Sequence, residues 1–148
     1  MKNILTIIIC SIGIVAAGCA KSQKSDPATA QKPDSVVLQG TWSGQEIGVN
    51  TQGTLSLIVE GENLEFHGAN PQEWYKGTFV LREDTTPKQI EAVIKECPFP
   101  QYVGKTVHGI YKIEDGKFTF AANEPGEPAV PTTFDARGAR TFVMSQKQ

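Results

Sequence analysis

The sequence predicts an all-β domain of short antiparallel strands, closed as a barrel or stacked as a sandwich, and three observations predict it. Apolar residues recur with a period of two through most of residues 36–148, the mark of half-buried strands. Two segments carry two-residue hairpin turns whose chemistry agrees with the face pattern on either side. Turn-forming residues then punctuate the chain at Asn50 to Gly53, Gly68 to Pro71, Pro125 to Pro131 and Asp135 to Gly138, a spacing suited to many short strands.

The first strand is expected over Gly40 to Val49. In the next two, Leu55, Leu57 and Val59 alternate with Ser56, Ile58 and Glu60, and Leu64 and Phe66 alternate with Glu65 and His67. Gly61-Glu62 between them fits a two-residue turn with Gly in the first central position, which sets Val59 opposite Leu64 and Leu57 opposite Phe66. One face of that hairpin is then wholly apolar. Trp74 to Glu83 follows, with Tyr75, Phe79 and Leu81 on one face. Lys105 to Glu114 leads into Asp115-Gly116, a strong hairpin signal. Across it Glu114 meets Lys117, Ile113 meets Phe118 and Tyr111 meets Phe120. A last strand, Ala139 to Ser145, carries Phe142 and Met144.

Thr86 to Cys97 carries two patterns at once. Thr86 and Gln89 form a T-x-x-Q capping box, Pro87 suits a first helical turn, and Ile90, Val93, Ile94 and Cys97 recur at helical spacing. Ile90, Ala92 and Ile94 also alternate with Glu91, Val93 and Lys95 as a strand requires. Residues near the pattern alone favour one short helix here.

Ahead of the domain, Lys2 supplies a positive start, Ile4 to Val15 is mostly apolar, and small residues follow, as in a secretory signal. The stretch is too short to span a bilayer, which needs about 20 apolar residues. Ala16-Ala17-Gly18-Cys19 resembles the bacterial lipobox, and that resemblance implies diacylglyceryl transfer to Cys19 and cleavage after Gly18. Ala20 in place of Asp resembles the pattern of lipoproteins sent to the outer membrane. Residues 1–18 are then a signal peptide, 19–35 an acylated cysteine and a tether, and 36–148 the folded domain. Lys21 to Ser35 has no aromatic residue or periodicity and is expected to hold the domain about 20 Å from the membrane.

Removal of residues 1–18 takes Lys2 and no acid, so Lys plus Arg falls from 14 to 13 against 16 Asp plus Glu, a net charge of −3. No basic cluster is present to neutralise a run of phosphates, which argues against nucleic acid as a partner. Cys10 leaves with the signal and Cys19 carries lipid, so the domain keeps Cys97 alone and forms no internal disulfide. Cys97 reads as a small, half-buried apolar residue or as one half of an intermolecular bridge.

Five groups of residues resemble, in order, a bacterial domain family of unknown function that is abundant in planctomycetes and lipocalin-like in character. They are Leu38-Gln39-Gly40-Thr41-Trp42, Lys76-Gly77-Thr78-Phe79, Thr86-Pro87-Lys88-Gln89-Ile90-Glu91, Gly104-Lys105-Thr106 with Gly109-Ile110-Tyr111, and Pro131-Thr132 with Phe134. Val130 stands where that family usually has Arg. Gly40-x-Trp42 also resembles the Gly-x-Trp at the first strand of lipocalins, whose indole closes one end of the barrel. The resemblance implies an up-and-down, lipocalin-like barrel of about eight strands, and a strand after Thr86-Pro87.

His67 and His108 lie on separate strands without cysteines or carboxylates at metal-ligand spacing. No nucleophile elbow, phosphate-cradling loop or H-E-x-x-H pattern occurs, so neither catalysis nor a cofactor has support. Binding is the better reading, since an eight-stranded barrel is just wide enough to be filled by side chains or to hold one small ligand. Trp42, Phe66, Tyr75, Phe79, Tyr111, Phe120 and Phe142 are the candidate interior or ligand-binding residues. Their aromatic bulk predicts a filled or nearly filled interior. Two partners are then expected besides the membrane: a small apolar or amphipathic ligand at one mouth, or an envelope protein docked on the loops of a packed barrel.

Overall fold

The computed structural model describes residues 32–49 and 53–148. Eight antiparallel strands close in chain order into one barrel. They are β1 Gly40–Glu46, β2 Leu55–Glu60, β3 Asn63–His67, β4 Trp74–Arg82, β5 Lys88–Glu96, β6 Thr106–Glu114, β7 Lys117–Ala122 and β8 Arg140–Gln146. β1 pairs with β8, Trp42 opposite Gln146 and Glu46 opposite Phe142, so the sheet has no free edge. Of the two all-β architectures open to the sequence, the barrel is the one adopted.

Both hairpins have the expected register. Val59 pairs with Leu64 and Leu57 with Phe66 across a turn in which Gly61 takes φ +62°. Tyr111 pairs with Phe120 and Ile113 with Phe118 across Asp115 and Gly116, at φ +51° and +71°. Two successive residues at positive φ match the right-handed twist of the flanking strands.

The segment with two patterns is the strand β5, not a helix. It pairs with β4 from Gln89 to Glu96 and with β6 from Lys88 to Val93. Two full ladders satisfy its backbone groups on both sides, against which a capping box worth about 1 kcal/mol is weak. A helix occurs elsewhere: Asp34–Val37 forms the four-residue α1, and Pro100–Tyr102 a single 3-10 turn. α1 corrects the tether, which was expected to run to Ser35 and leave the domain to begin at Val36. Asp34 is only 5% exposed, and the residues from Pro33 onward are built into the barrel.

α1 and Leu38 close one end. The Trp42 indole N–H donates to the Leu38 carbonyl at 2.8 Å, and Trp42 and Tyr111 both pack against Phe118 with ring centroids 5.8 and 6.1 Å away. Asp34 crosses to the far wall, where its carboxylate accepts from Lys88 Nζ at 2.6 Å and Tyr111 Oη at 3.0 Å. Gln39 fixes the near side, accepting from the Gly61 amide at 2.7 Å. The described parts of four connections, 47–49 with 53–54, 68–73, 97–105 and 123–139, gather at the other end. The longest folds back over the outer wall. Ile110 and Ala121 point outward yet are wholly buried, Pro131 is buried beside them, and Lys112 stands 5.7 Å over the Phe134 ring.

Candidate functional site

Strand alternation points Phe66 of β3, Tyr75 and Phe79 of β4, Phe118 and Phe120 of β7 and Phe142 of β8 into the barrel. Phe66 sits among them, 5.4 Å from Phe142, 6.3 Å from Tyr75 and 6.4 Å from Phe120, and Phe120 stacks on Phe142 at 4.6 Å. Between β4 and β7 the wall is lined differently. Ala92 of β5 and Gly109 of β6 occupy inward positions, with Ala122 beyond Phe120 at the end of β7, and residues this small leave the space beside the rings unfilled. Gly109 also has no room for growth along the wall: a Cβ there would lie 2.8 Å from the Ala121 carbonyl oxygen.

The result is a cavity of about 190 Å³, running from Leu38 near the closed end to Tyr102, Glu124 and Arg140 at the open one. The interior is therefore not filled, contrary to what the aromatic content predicts. The small residues Ala92, Gly109 and Ala122 set the free volume that the ring content does not reveal. For scale, an apolar cavity of about 150 Å³ holds benzene, and drug-sized sites begin near 300 Å³. This one fits a body of roughly six to ten non-hydrogen atoms.

Of the predicted interior residues, Phe66, Tyr75, Phe79, Phe120 and Phe142 line the cavity. Trp42 and Tyr111 do not. They lie below it in the packed closed end, each 1% exposed, and act there as a floor. Cys19 and Gly18 lie outside the described residues. Cys97 carries a free thiol whose Sγ donates to the Phe99 carbonyl at 3.1 Å, where β5 leaves the barrel wall. His67 hydrogen-bonds Glu65 at 2.7 Å on the outer wall, and with Lys76 it holds the Glu65 carboxyl below its ordinary range.

The polar groups of the mouth escaped sequence reasoning. Arg140 Nε and Nη2 donate to both oxygens of Glu46 at 2.9 and 2.8 Å, Nη1 donates to Glu73, and the guanidinium lies 5.1 Å from the Phe142 ring centroid. Hydrogen bonding to Glu46 raises the Arg140 pKa further above its ordinary value against the opposing effect of burial, so the charge is permanent. Tyr75 stands beside this group, its phenol pushed up first by burial and then by Glu73. The same alternation that turns Trp42 and Phe142 inward, carried four residues forward and two back, places Glu46 and Arg140 inward as well. That signal was present in the sequence but was followed only through apolar residues.

The 3-10 turn sets the remaining side of the mouth. Tyr102 and Tyr75 flank Phe99, with ring centroids 6.0 and 6.2 Å from it. The arrangement is an apolar, largely aromatic chamber with a charged rim. Compared with protein families, with curated proteins and with solved structures, the chain matched none of them, so its likeness to the planctomycete family and to lipocalins rests on the residues quoted above.

Proposed function

We propose that the barrel is a binding module for a small apolar or amphipathic ligand, held outside the cytoplasm by a lipid on Cys19. The observation that carries this reading is the cavity of about 190 Å³, lined mostly by apolar side chains with Glu124 and Arg140 among the residues at one end. Side chains could have closed that space, as they do at the Trp42 end. Placement supports it too. The described chain enters the barrel at the closed end through α1, and the lipid proposed on Cys19 lies upstream of that point in sequence.

Calorimetric titration with 1-hexanol and toluene tests binding, with saturable one-to-one uptake as the expected result. Absence of saturable uptake favours a second reading, a barrel whose loops dock on an envelope protein. Ile47, Val49 and Val103 support that alternative, being exposed on connections at the mouth. Mass spectrometry of the mature chain tests the anchor. A first residue Cys19 with added acyl mass is expected, and an intact Met1 or an unmodified Cys19 would refute it.

A further inference from the structure

We infer that the ligand carries a cationic head, a primary or substituted ammonium on a short apolar body, and that the head rests at the mouth between Glu124 and the Tyr75 and Tyr102 rings. This deepens the binding reading above and rests on it. The charge of the rim is the first ground. Glu46 and Arg140 cancel, and the four connections at that end carry Glu73, Glu124, Glu127 and Asp135 against Lys105 and Arg137 alone, a net of −2. Asp135 and Arg137 pair with each other, so the excess lies on the glutamates.

Among the described residues Arg140 is the one cation that lines the cavity, and an anionic head would have to approach it past two carboxylates that already occupy three of its donors. Glu124 also lines the cavity, is exposed, and takes part in none of the ion pairs among the described residues. A cation at the rim meets that carboxylate without displacing anything.

Aromatic faces supply the second ground. Tyr75 and Tyr102 line the cavity at the rim, and the negative faces of such rings attract ammonium groups within about 6 Å. The rim already holds one cation in this manner, its own Arg140 between two carboxylates and over Phe142. A hexyl body fits the chamber, so the head can be varied at fixed body.

The experiment titrates the full chain at pH 7 and low salt with hexylamine, 1-hexanol and hexanoate, each below its aggregation limit. Hexylamine is expected to bind at least tenfold more tightly than hexanoate and more tightly than hexanol, and E124Q is expected to shrink the amine-to-carboxylate ratio at least threefold. Equal affinities, or a preference for hexanoate, overturn the cationic head while leaving the binding module intact. A ratio unmoved by E124Q overturns the placement of the head. Failure of all three compounds to bind overturns both readings together.

Discussion

The Tyr111 hydroxyl donates a 3.0 Å hydrogen bond to Oδ2 of Asp34, a residue 77 positions earlier in the chain. The same oxygen accepts from Lys88 at 2.6 Å, and the Asp34 amide donates to Glu83 at 3.1 Å. The buried Asp34 carboxylate thus ties α1 to β5 and β6, and its amide ties α1 to Glu83 just after β4. Asp34→Ala leaves the Tyr111 hydroxyl buried without a partner, whereas Lys88, more than a third exposed, can turn to water. A loss of about 2–3 kcal/mol is expected. It should appear as a lower urea midpoint with an unchanged slope.

Burial, and then the bond to Asp34, push the Tyr111 phenol well above its ordinary value. Its contribution to stability is therefore whole below pH 10, where the unfolded phenol is still protonated. Above pH 10 the unfolded chain releases a proton that the folded chain keeps, and stability should fall by about 1.4 kcal/mol per pH unit. Tyr75 shifts the same way and adds to the slope. Tyr111→Phe should cost about 1 kcal/mol at pH 7 and flatten the decline between pH 10 and 11. Denaturation series at pH 7, 9, 10 and 11 provide the check, and an unchanged slope in the variant would remove Tyr111 as its source.

Ala92 lines the cavity at an inward position of β5. Ala92→Leu adds three carbons to a space that has room for them, so it should fill the chamber with little strain. Stability is expected to hold within about 1.5 kcal/mol, while the affinity for hexanol falls at least tenfold. Thermal unfolding and calorimetry on the same sample separate the two effects.

Arg140→Gln removes the bidentate partner of Glu46, whose side chain is 9% exposed. Since Arg140 itself is 43% exposed, water screens part of the pair, and a loss of about 1–2 kcal/mol at pH 7 is expected. The double variant with Glu46→Gln should recover most of the loss, since no uncompensated carboxylate is then left buried. A double-mutant cycle with no coupling would show that the pair is only a surface contact.

Much of the barrel was legible in the chain because hairpins are local. Gly61-Glu62 and Asp115-Gly116 set their registers from four residues each, and alternation then assigned Leu57, Phe66, Tyr111 and Phe120 to the interior. β5 was not legible from its local pattern, since its Thr86–Gln89 box and its alternation at Ile90, Ala92 and Ile94 have similar local merit, and only the family resemblance implied a strand. Ladders to β4 and β6 on its two sides make it one. Asp34 was missed for a related reason. A short polar residue next to Pro33 in a run of Ser, Gln and Lys resembles linker, and only Lys88 and Tyr111 make its burial favourable.

The mouth was half legible. Phe66, Tyr75 and Phe142 were named from alternation, but the charged Glu46 and Arg140 share their faces and were left outside because charge usually marks solvent. By itself, then, the amino-acid order determined seven of the strands, the two hairpin registers and which aromatic rings turn inward, because period-two patterning and positive-φ turns act over a few residues. The eighth, β5, was implied by the family resemblance and made by its ladders, and tertiary structure alone decided that α1 closes one end and that a cavity survives beside the rings. Each of those depends on what stands across the barrel, and the width of the space between Phe66 and Gly109 is a property of neither residue.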